Sequence, residues 1–304
     1  MINHWPSSGH YWRTKIILID YNQVALAAIL AFQGDLKRGS NTERVNLIRH
    51  VTLSALKSYK KKYHRQYGEM IIACDGRKYW RKEFFQYYKG MRKTAREESD
   101  LDWKLIFDTL SQIRDDIRDH FPYRVVHLDR CEADDIIATL AESTQEFGRF
   151  EPTMIVSSDK DYKQLLQYDN VKQYSPYLKK LIAPKKAELK NWLIEHIVKG
   201  DAGDGIPNIF SPDDCLMTGE RQSRVTAKRL EEFFEQGFAA CRTDTERRNW
   251  QRNETLVSFK HIPEDIRDAI LAEVEKPSTG DKNSIMNYLI KHRCRVLLEN
   301  IDEF

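Results

Sequence analysis

Residues 16–20 read Ile-Ile-Leu-Ile-Asp, a short apolar run that ends on a carboxylate. Three later runs, at residues 70–73, 125–128 and 154–156, are also strand-like and are also followed by acidic residues. The carboxyl ends of parallel strands meet at one edge of a sheet, where open α/β folds bind their ligands. The four runs therefore predict an α/β fold with a mostly parallel central sheet, flanked by helices, and an acidic site along one edge.

Nine carboxylates belong to this predicted site: Asp20, Asp75, Glu132, Asp134, Asp135, Asp159, Asp161, Asp201 and Asp204. At this density, unpaired carboxylates repel one another unless a cation or a basic group compensates them. An ordinary alternative exists, since Asp also favours strand ends and helix N-caps, where it accepts hydrogen bonds from free backbone amides. The repetition of the pattern favours a metal site over capping alone.

The glycine-rich stretch 200–207, which holds the last two acids, has two interpretations. Small residues and a helix N-terminus allow the backbone to approach a phosphate closely. Alternatively, Gly200 simply ends a helix and begins a turn.

The residue types around these acids indicate which metal to expect. The five cysteines show no Cys-x-x-Cys spacing, which argues against a disulfide framework and a structural zinc site. The nine histidines show no His-x-x-x-His pattern, so we expect mainly oxygen ligands, which suit Mg²⁺ or Mn²⁺. Two such ions can clamp the attacking and leaving oxygens of a phosphodiester. Phosphoaspartyl chemistry is disfavoured, because its usual Asp-x-Asp partner is replaced by Asn22.

A basic segment follows the second strand. Residues 77–96 read RKYWRKEFFQYYKGMRKTAR, with eight Lys or Arg, six aromatic residues and the single acid Glu83. Cations that neutralise phosphates and aromatics that stack on bases are typical of sites for single-stranded nucleic acid. The alternative is an amphipathic helix with a buried aromatic face, since Trp80, Phe84 and Tyr87 or Tyr88 recur at helical spacing.

The order of elements along the 304 residues predicts three regions: a leader at 1–13, an α/β domain at 14–183 and a helical domain at 184–304. Helices are predicted from Thr42 to Tyr67, from Trp103 to His120 and from Ser284 to Leu298. An edge hairpin is expected at residues 171–174 and 180–182. No run reaches the ~20 apolar residues of a membrane span and the first dozen residues lack a signal-peptide core, so we expect a soluble, cytoplasmic protein.

Five ordered motifs resemble the flap endonuclease or 5′-3′ exonuclease family. They are Asp20, Asp75, Glu132-Ala133-Asp134-Asp135, Ser158-Asp159-Lys160-Asp161 and the stretch Gly200-Asp201-Ala202-Gly203-Asp204-Gly205-Ile206-Pro207. The segment Tyr87-Tyr88-Lys89-Gly90-Met91-Arg92 is similar to the helical arch of that family. Stretches such as Ala95-Arg96-Glu97-Glu98-Ser99 resemble in particular the ribonuclease H branch found in T-even bacteriophages.

The resemblance implies a Mg²⁺-dependent nuclease, with Mn²⁺ as a substitute, that removes RNA primers and short DNA from 5′ ends and cuts 5′ flaps during lagging-strand synthesis. Its substrates are DNA and RNA-DNA hybrids. The resemblance also implies a monomer that meets a single-strand-binding protein and a sliding clamp. One metal falls to Asp20, Asp75, Asp134 and Asp159 with Glu132, and the other to Asp161, Asp201 and Asp204, with Asp135 farther out.

The resemblance also assigns roles to basic and aromatic residues. Lys89 and Arg92 are expected to orient the scissile phosphate, and Tyr88 to stack on a terminal base. Further contacts to nucleic acid are expected from Arg81, Lys82, Lys93, Arg96, Arg221, Arg224, Lys228 and Arg229, although a solvated helix face is the alternative for the last four. Asn208-Ile209 replaces the Gly-Val that the family usually shows after Ile-Pro, so a K⁺ site is doubtful.

Two other functions remain open from the sequence. The chain could bind forked nucleic acid without cutting it and recruit replication partners, although every expected acid is present. It could also be a single-strand ribonuclease of the related PIN type, which normally lacks a helical C-terminal half. Metal-dependent turnover and substrate preference distinguish the three.

Overall fold

Six strands form one sheet in the computed structural model, which describes residues 15–145 and 148–304 but not the side chains of residues 93–95. The predicted leader at 1–13 and the side chain of Lys93 lie outside this part of the chain. The strands are β1 (Ile16–Asp20), β2 (Glu69–Cys74), β3 (Arg124–His127), β4 (Thr153–Val156), β5 (Val171–Ser175) and β6 (Lys180–Ile182). Their order is β3-β2-β1-β4-β5-β6, and only β6 is antiparallel to its neighbour.

The central strands carry nearly continuous apolar runs because both faces of the sheet are covered. Ile17 and Ile19 of β1 pack on one side in a cluster with helices that precede β3. Ile16 and Leu18 point to the other side, toward the helix that follows β3. The predicted fold class, a mostly parallel sheet flanked by helices, is confirmed.

Within the described residues, the first half of the chain forms seven α-helices, most of which belong to these two layers. They are α1 (Tyr21–Leu30), α2 (Gln33–Arg38), α3 (Asn41–Tyr67), α4 (Trp80–Phe84), α5 (Met91–Glu97), α6 (Trp103–His120) and α7 (Ala133–Ser143). The long helix α3 begins at a capping box, in which Ser40 and Glu43 each accept a hydrogen bond from the backbone of the other. The bounds of α3 and α6 match the predicted helices to within one residue.

The second half is helical beyond β6. Its helices are α8 (Lys186–Lys199), α9 (Cys215–Thr218), α10 (Ala227–Gln236), α11 (Asp244–Val257), α12 (Glu264–Val274), α13 (Lys282–Lys291) and α14 (Arg295–Leu298). Short 3₁₀ turns cover Asp161–Gln167, Ala202–Asp204, Gly237–Ala240, Phe259–His261 and Ile301–Glu303. Among the helices of 15–145 and 148–304, none is both long enough and apolar enough to cross a bilayer.

Only part of the basic segment is helical, and the helical face that its aromatic spacing predicts is not kept. It forms α4 and α5, joined by a turn at residues 85–90. Phe84 is exposed, whereas Phe85 and Tyr88 are buried in a small cluster with Ile206 and Leu256. Long-range packing of the turn has therefore overridden the local helical period.

The predicted final helix, from Ser284 to Leu298, is also interrupted. It divides into α13 and α14, and Arg293 between them has a positive φ of 55°. Because Leu289 and Leu297, on either side of the break, are both buried in the cluster that covers β1, the break keeps both short helices in contact with the core.

Candidate metal centre and nucleic-acid interface

Four aspartates lie together at the carboxyl edge of the sheet. Asp20 ends β1, Asp75 follows β2, Asp159 follows β4, and Asp134 lies in the first turn of α7. Asp20 is buried and its carboxylate interacts with those of Asp75 and Asp159, while that of Asp134 interacts with Asp159. The structure thus brings these four predicted metal ligands into one group, which we call the sheet-edge aspartates.

Hydrogen bonds from neighbouring groups hold the sheet-edge aspartates in place. Tyr162 Oη donates to Asp134 Oδ1 at 2.6 Å, and Ser157 Oγ donates to Asp20 Oδ2 at 2.8 Å. The amide of Ala133 donates to Asp75 Oδ1 at 2.9 Å. These three donors are uncharged, so they orient the carboxylates without neutralising them.

Asn22, at the position that argued against phosphoaspartyl chemistry, has a positioning role. Its Nδ2 donates to Asp75 Oδ2 at 2.8 Å. It therefore helps to orient a carboxylate.

The electrostatics of the sheet-edge aspartates fit a bound cation. Burial, reinforced by Asp75 and Asp159, raises the pKa of Asp20 to about 7. Burial and the nearby Asp161 raise the pKa of Asp159 to about 6. Burial also raises the pKa of Asp134 well above its usual range, and Asp159 adds to that effect. A divalent cation would relieve this repulsion, and four carboxylates are suitable donors for Mg²⁺ or Mn²⁺.

A second group of potential ligands lies beside the first. Asp161 begins the 3₁₀ turn after β4, Asp201 follows α8, and His196 is in the last turn of α8. His196 Nε2 lies 3.3 Å from Asp161 Oδ1 and 3.7 Å from Asp201 Oδ2. These three residues offer ligand atoms that all lie within 4.8 Å of one another. We call them the Asp161–His196–Asp201 cluster.

The charge state of Asp201 suits cation binding. Although burial alone would raise it, the pKa of Asp201 is lowered, chiefly by Lys160, whose Nζ lies 2.8 Å from Asp201 Oδ2. Asp201 also accepts hydrogen bonds from the amides of Gly203 and Asp204, so it caps the 3₁₀ turn as well. Capping and proximity to the site thus coexist in one residue.

The sequence analysis missed His196, whose imidazole lies beside the predicted carboxylate ligands Asp161 and Asp201. No histidine spacing indicates it, since its neighbours in space are on other segments. The feature of the sequence that places His196 near the site is its position four residues before Gly200, the residue that ends α8.

Glu132 and Asp135, both predicted to serve a metal, are surrounded differently. Arg81 Nη1 lies 2.8 Å from Glu132 Oε2 and 2.8 Å from Asp135 Oδ1, and all three side chains are buried. Asp135 Oδ2 also accepts hydrogen bonds from the amide of Glu132 and from Trp80 Nε1. Asp135 therefore caps α7 and pairs with Arg81, and its expected place farther from the metal than the other acids stays a prediction.

The predicted contact of Arg81 with nucleic acid needs correction, because its side chain is buried in these ion pairs. Only 3% of its side chain is exposed and its guanidinium contacts Glu132, Asp135 and the carbonyl of Leu256, so it does not face nucleic acid. A buried pair of this kind is weak evidence for net stability, but removing one partner would leave a buried charge uncompensated.

Two cations of the basic segment reach the acidic site. Lys89 Nζ pairs with Glu132 Oε1, and Arg92 Nη2 pairs with Asp204 Oδ1. Burial alone would raise the pKa of Glu132, but Lys89 and Arg81 outweigh it and lower the pKa. In this conformation Glu132 pairs with two residues of the basic segment, Arg81 and Lys89. A metal ion that used Glu132 as a ligand would therefore compete with Lys89.

Tyr88 was expected to stack on a terminal base, and the structure corrects this too. Its side chain is buried, and its hydroxyl lies 3.2 Å from Glu132 Oε2 and 3.3 Å from Asp204 Oδ2. Tyr88 instead anchors the turn of the basic segment against the acidic site.

The remaining predicted contacts to nucleic acid divide by exposure. Lys82, Arg96, Arg221, Arg224 and Lys228 are exposed. Arg229 is not available in the same way, because its guanidinium pairs with Glu232 and Glu246 and packs over the ring of Phe233. The prediction for Arg229 is therefore corrected to an intramolecular role in the helical region.

Comparisons with known proteins show the family to which the chain belongs. Residues 15–193 match the family described as "5′-3′ exonuclease, N-terminal resolvase-like domain", and residues 187–304 match the family described as "T4 RNase H, C terminal". The chain is 31% identical to ribonuclease H of Enterobacteria phage T4 over 96% of its own length and 97% of that protein. It is 30% identical to DNA polymerase I of Streptococcus pneumoniae over 65% of its length, which is 22% of the polymerase.

Solved structures show the same fold. The D15 protein of phage T5, co-crystallised with metal ions, superposes with a TM-score of 0.62 at 17% identity, covering 85% of this chain and 97% of that one. The phage T5 D15 flap endonuclease in a pseudo-enzyme-product complex with DNA and metal ions gives a TM-score of 0.58 at 16% identity, with 85% of this chain and 97% of that one covered.

Proposed function

The chain belongs to the family of metal-dependent 5′-3′ exonucleases, and from this premise we propose that it removes RNA primers and adjacent DNA from 5′ ends and cuts 5′ flaps during lagging-strand replication. One observation carries the proposal: cations of the basic segment meet the carboxylates of the acidic site, through Lys89 to Glu132 and Arg92 to Asp204. The carboxylates that can bind metal ions are thus next to the basic side chains that can bind phosphates.

We assign one divalent ion, Mg²⁺ with Mn²⁺ as substitute, to the sheet-edge aspartates and another to Asp161, Asp201 and Asp204. When bound, the ions supply activation of water and neutralisation of charge on the scissile phosphate. The protein's own contribution is orientation: hydrogen bonds such as that from Tyr162 to Asp134 hold the carboxylates before substrate arrives.

Lys89 and Arg92 are proposed to contact the phosphate on the side opposite the aspartates. In this structure both side chains pair with carboxylates. An incoming phosphate would replace Glu132 as the partner of Lys89 and Asp204 as the partner of Arg92. That exchange keeps each cation paired throughout, which avoids leaving a buried charge alone. Lys82, Arg96, Arg221, Arg224 and Lys228 are exposed and are proposed to contact phosphates away from the scissile bond.

The proposal extends to substrates and partners. DNA and RNA-DNA hybrids with a 5′ end or flap are the proposed substrates, and the phage T5 relative that was crystallised with DNA supports a nucleic-acid substrate. A single-strand-binding protein and a sliding clamp remain predicted partners, and the protein is predicted to act as a monomer.

The test is incubation of a labelled 5′-flap duplex and an RNA-DNA hybrid with the protein and Mg²⁺. We expect cleavage of both by the wild type and loss of cleavage in Asp134→Ala. Asp108→Ala, which removes an exposed carboxylate on α6, is the matched control and should cleave normally. Persistence of both substrates with the wild type would sink the proposal and favour the non-catalytic alternative, whereas preference for unstructured RNA would favour a PIN-type ribonuclease.

A further inference from the structure

His196 is a buried side chain with an unused ring nitrogen. Only 7% of its side chain is exposed, and Nε2 has no hydrogen-bond partner within the described residues. Asp161 Oδ1 faces this nitrogen at 3.3 Å and also has no hydrogen-bond partner among residues 15–145 and 148–304. Buried polar atoms are normally satisfied, so two that face each other across a short gap point to a missing partner.

The gap has the dimensions of a metal site. Zn²⁺, for example, binds imidazole nitrogen at about 2.0–2.1 Å and carboxylate oxygen at about 2.0–2.2 Å, so two ligand atoms of one such ion lie at most about 4.3 Å apart. His196 Nε2 lies 3.3 Å from Asp161 Oδ1 and 3.7 Å from Asp201 Oδ2, inside that limit. With neutral imidazole, the two carboxylates would balance the charge of one divalent ion.

The surroundings of His196 hold its ring in this orientation. Trp192, one helical turn earlier, stacks on the imidazole with ring centroids 5.2 Å apart and an interplanar angle of 14°. A preorganised ring loses little freedom when it binds an ion. Lys160, the present partner of Asp201, is about half exposed and can turn toward solvent when an ion takes its place.

We propose that His196 is a nitrogen ligand of the second divalent ion, and that its imidazole raises the affinity of the Asp161–His196–Asp201 cluster for Mn²⁺ more than it raises the affinity for Mg²⁺. The proposal rests on the proposed function, since it concerns one of the two ions of the same site. Mg²⁺ prefers oxygen and water, whereas imidazole suits transition metals, so replacing one oxygen ligand by nitrogen shifts the preference.

The experiment uses Mn²⁺ alone as the probe on the full-length protein. Pulsed electron paramagnetic resonance of bound Mn²⁺ should show a directly coordinated imidazole ¹⁴N in the wild type. His196→Gln, whose amide oxygen can approach the position of Nε2, should lose the ¹⁴N signal. By calorimetric titration it should also bind Mn²⁺ on the order of tenfold more weakly while changing Mg²⁺ affinity less.

His261→Gln is the matched control, because His261 is exposed on a 3₁₀ turn, and it should keep the ¹⁴N signal. Absence of the signal in the wild type, whatever the variants do, would overturn the proposal and leave His196 as an ion-pair partner of Asp161. The outcomes remain distinguishable from failure of the proposed function, which is decided by flap cleavage in Mg²⁺. A wild type that cleaves but shows no ¹⁴N signal refutes only the role of His196.

Discussion

Lys89 adopts a left-handed backbone conformation, with φ of 55°, that residues other than glycine rarely adopt. Two contacts hold it there: its amide donates to the carbonyl of Asp204 at 2.7 Å, and its ammonium group pairs with Glu132. Such strain persists only where surrounding interactions determine the conformation, and it is common at functional sites. The contacts of Lys89 with residues far along the chain are the compensation visible here.

Substituting Lys89 by alanine should slow cleavage far more than it weakens binding. We expect the single-turnover rate on a 5′ flap to fall about 10²–10³-fold, because a preorganised cation near the scissile phosphate is lost. The dissociation constant, measured in Ca²⁺ without turnover, should change much less. Arg81 still pairs with Glu132 in this variant, so the fold should be retained, which thermal unfolding would check.

Lys82→Ala provides the comparison within the same segment, because Lys82 is exposed. It should weaken binding modestly, in a salt-dependent manner, and leave the rate at saturation nearly unchanged. Equal effects of Lys89→Ala on rate and binding would contradict a catalytic role for Lys89.

Asp20 makes the stability of the metal-free protein depend on pH. Its pKa is raised to about 7 in the folded state, mainly by burial and by Asp75, with a smaller effect from Asp159, against 3.8 as its ordinary value. A raised pKa contributes stability that is complete below about pH 4 and is lost as pH rises through 7. In chelator, the temperature midpoint of thermal unfolding should therefore decrease as the pH is raised from 5 to 8.

Asp20→Asn should flatten this dependence and make the metal-free protein more stable than the wild type at pH 8. Asp108→Asn, at an exposed position, should follow the wild-type curve. Adding Mg²⁺ at pH 8 should raise the unfolding midpoint of the wild type. A wild-type midpoint in chelator that does not fall over this pH range would contradict the assigned burial of Asp20.

At the scale of elements, the glycine-rich stretch 200–207 supports the turn at 85–90. Gly205 ends the 3₁₀ turn with φ of 71°, and a Cβ atom there would lie 2.5 Å from the carbonyl oxygen of Tyr87. Ile206 packs in the same cluster as Phe85 and Tyr88. The stretch therefore positions Lys89 through direct backbone contact, which is a more specific role than ending α8.

Gly205→Ala and Gly219→Ala separate this contact from ordinary backbone strain. Gly219 has φ of 76° but open space where a Cβ atom would lie, so its substitution should cost only the left-handed conformation, about 1–2 kcal/mol. Gly205→Ala adds the collision with Tyr87 and should cost about 1–3 kcal/mol more. Denaturant unfolding measures both costs. Flap cleavage should fall for Gly205→Ala only, and equal behaviour of the two variants would refute the coupling.

At the scale of the whole molecule, the last helices return to the α/β core. Tyr288 of α13 donates to Asp116 Oδ2 of α6 at 2.9 Å and accepts from Arg49 Nε of α3 at 3.0 Å. Helix α12 packs in the cluster on the opposite face, with Ile270 buried alongside Ile136 of α7. The helical region thus contacts both layers, while α8, α10 and α11 contribute to a further cluster of their own.

Leu289→Ala should therefore destabilise the chain as one unit. Leu289 is fully buried in the cluster that covers β1, so we expect a loss of about 2–5 kcal/mol. Ile290→Ala, at the next and exposed position, should stay within about 0.5 kcal/mol of the wild type. Far-ultraviolet circular dichroism and tryptophan fluorescence should report one coincident transition. Two separated transitions, with only one moved by Leu289→Ala, would instead support independent domains at 14–183 and 184–304.

The sequence by itself determined the strands and the placement of the acids. Apolar runs such as 16–19 have to be buried on both faces, and the residue after each run then falls at the sheet edge. Local periodicity was equally sufficient for α3 and α6. These features depend on neighbours in sequence, so pattern and composition carry them.

The tertiary structure alone decided which charges share a partner. Arg81 and Lys82 are adjacent basic residues, yet one is buried between Glu132 and Asp135 while the other faces solvent. His196 joins Asp161 because α8 packs against the turn that follows β4, a contact between segments 35 positions apart. Burial and pairing depend on packing between distant segments, which the local residue pattern does not contain.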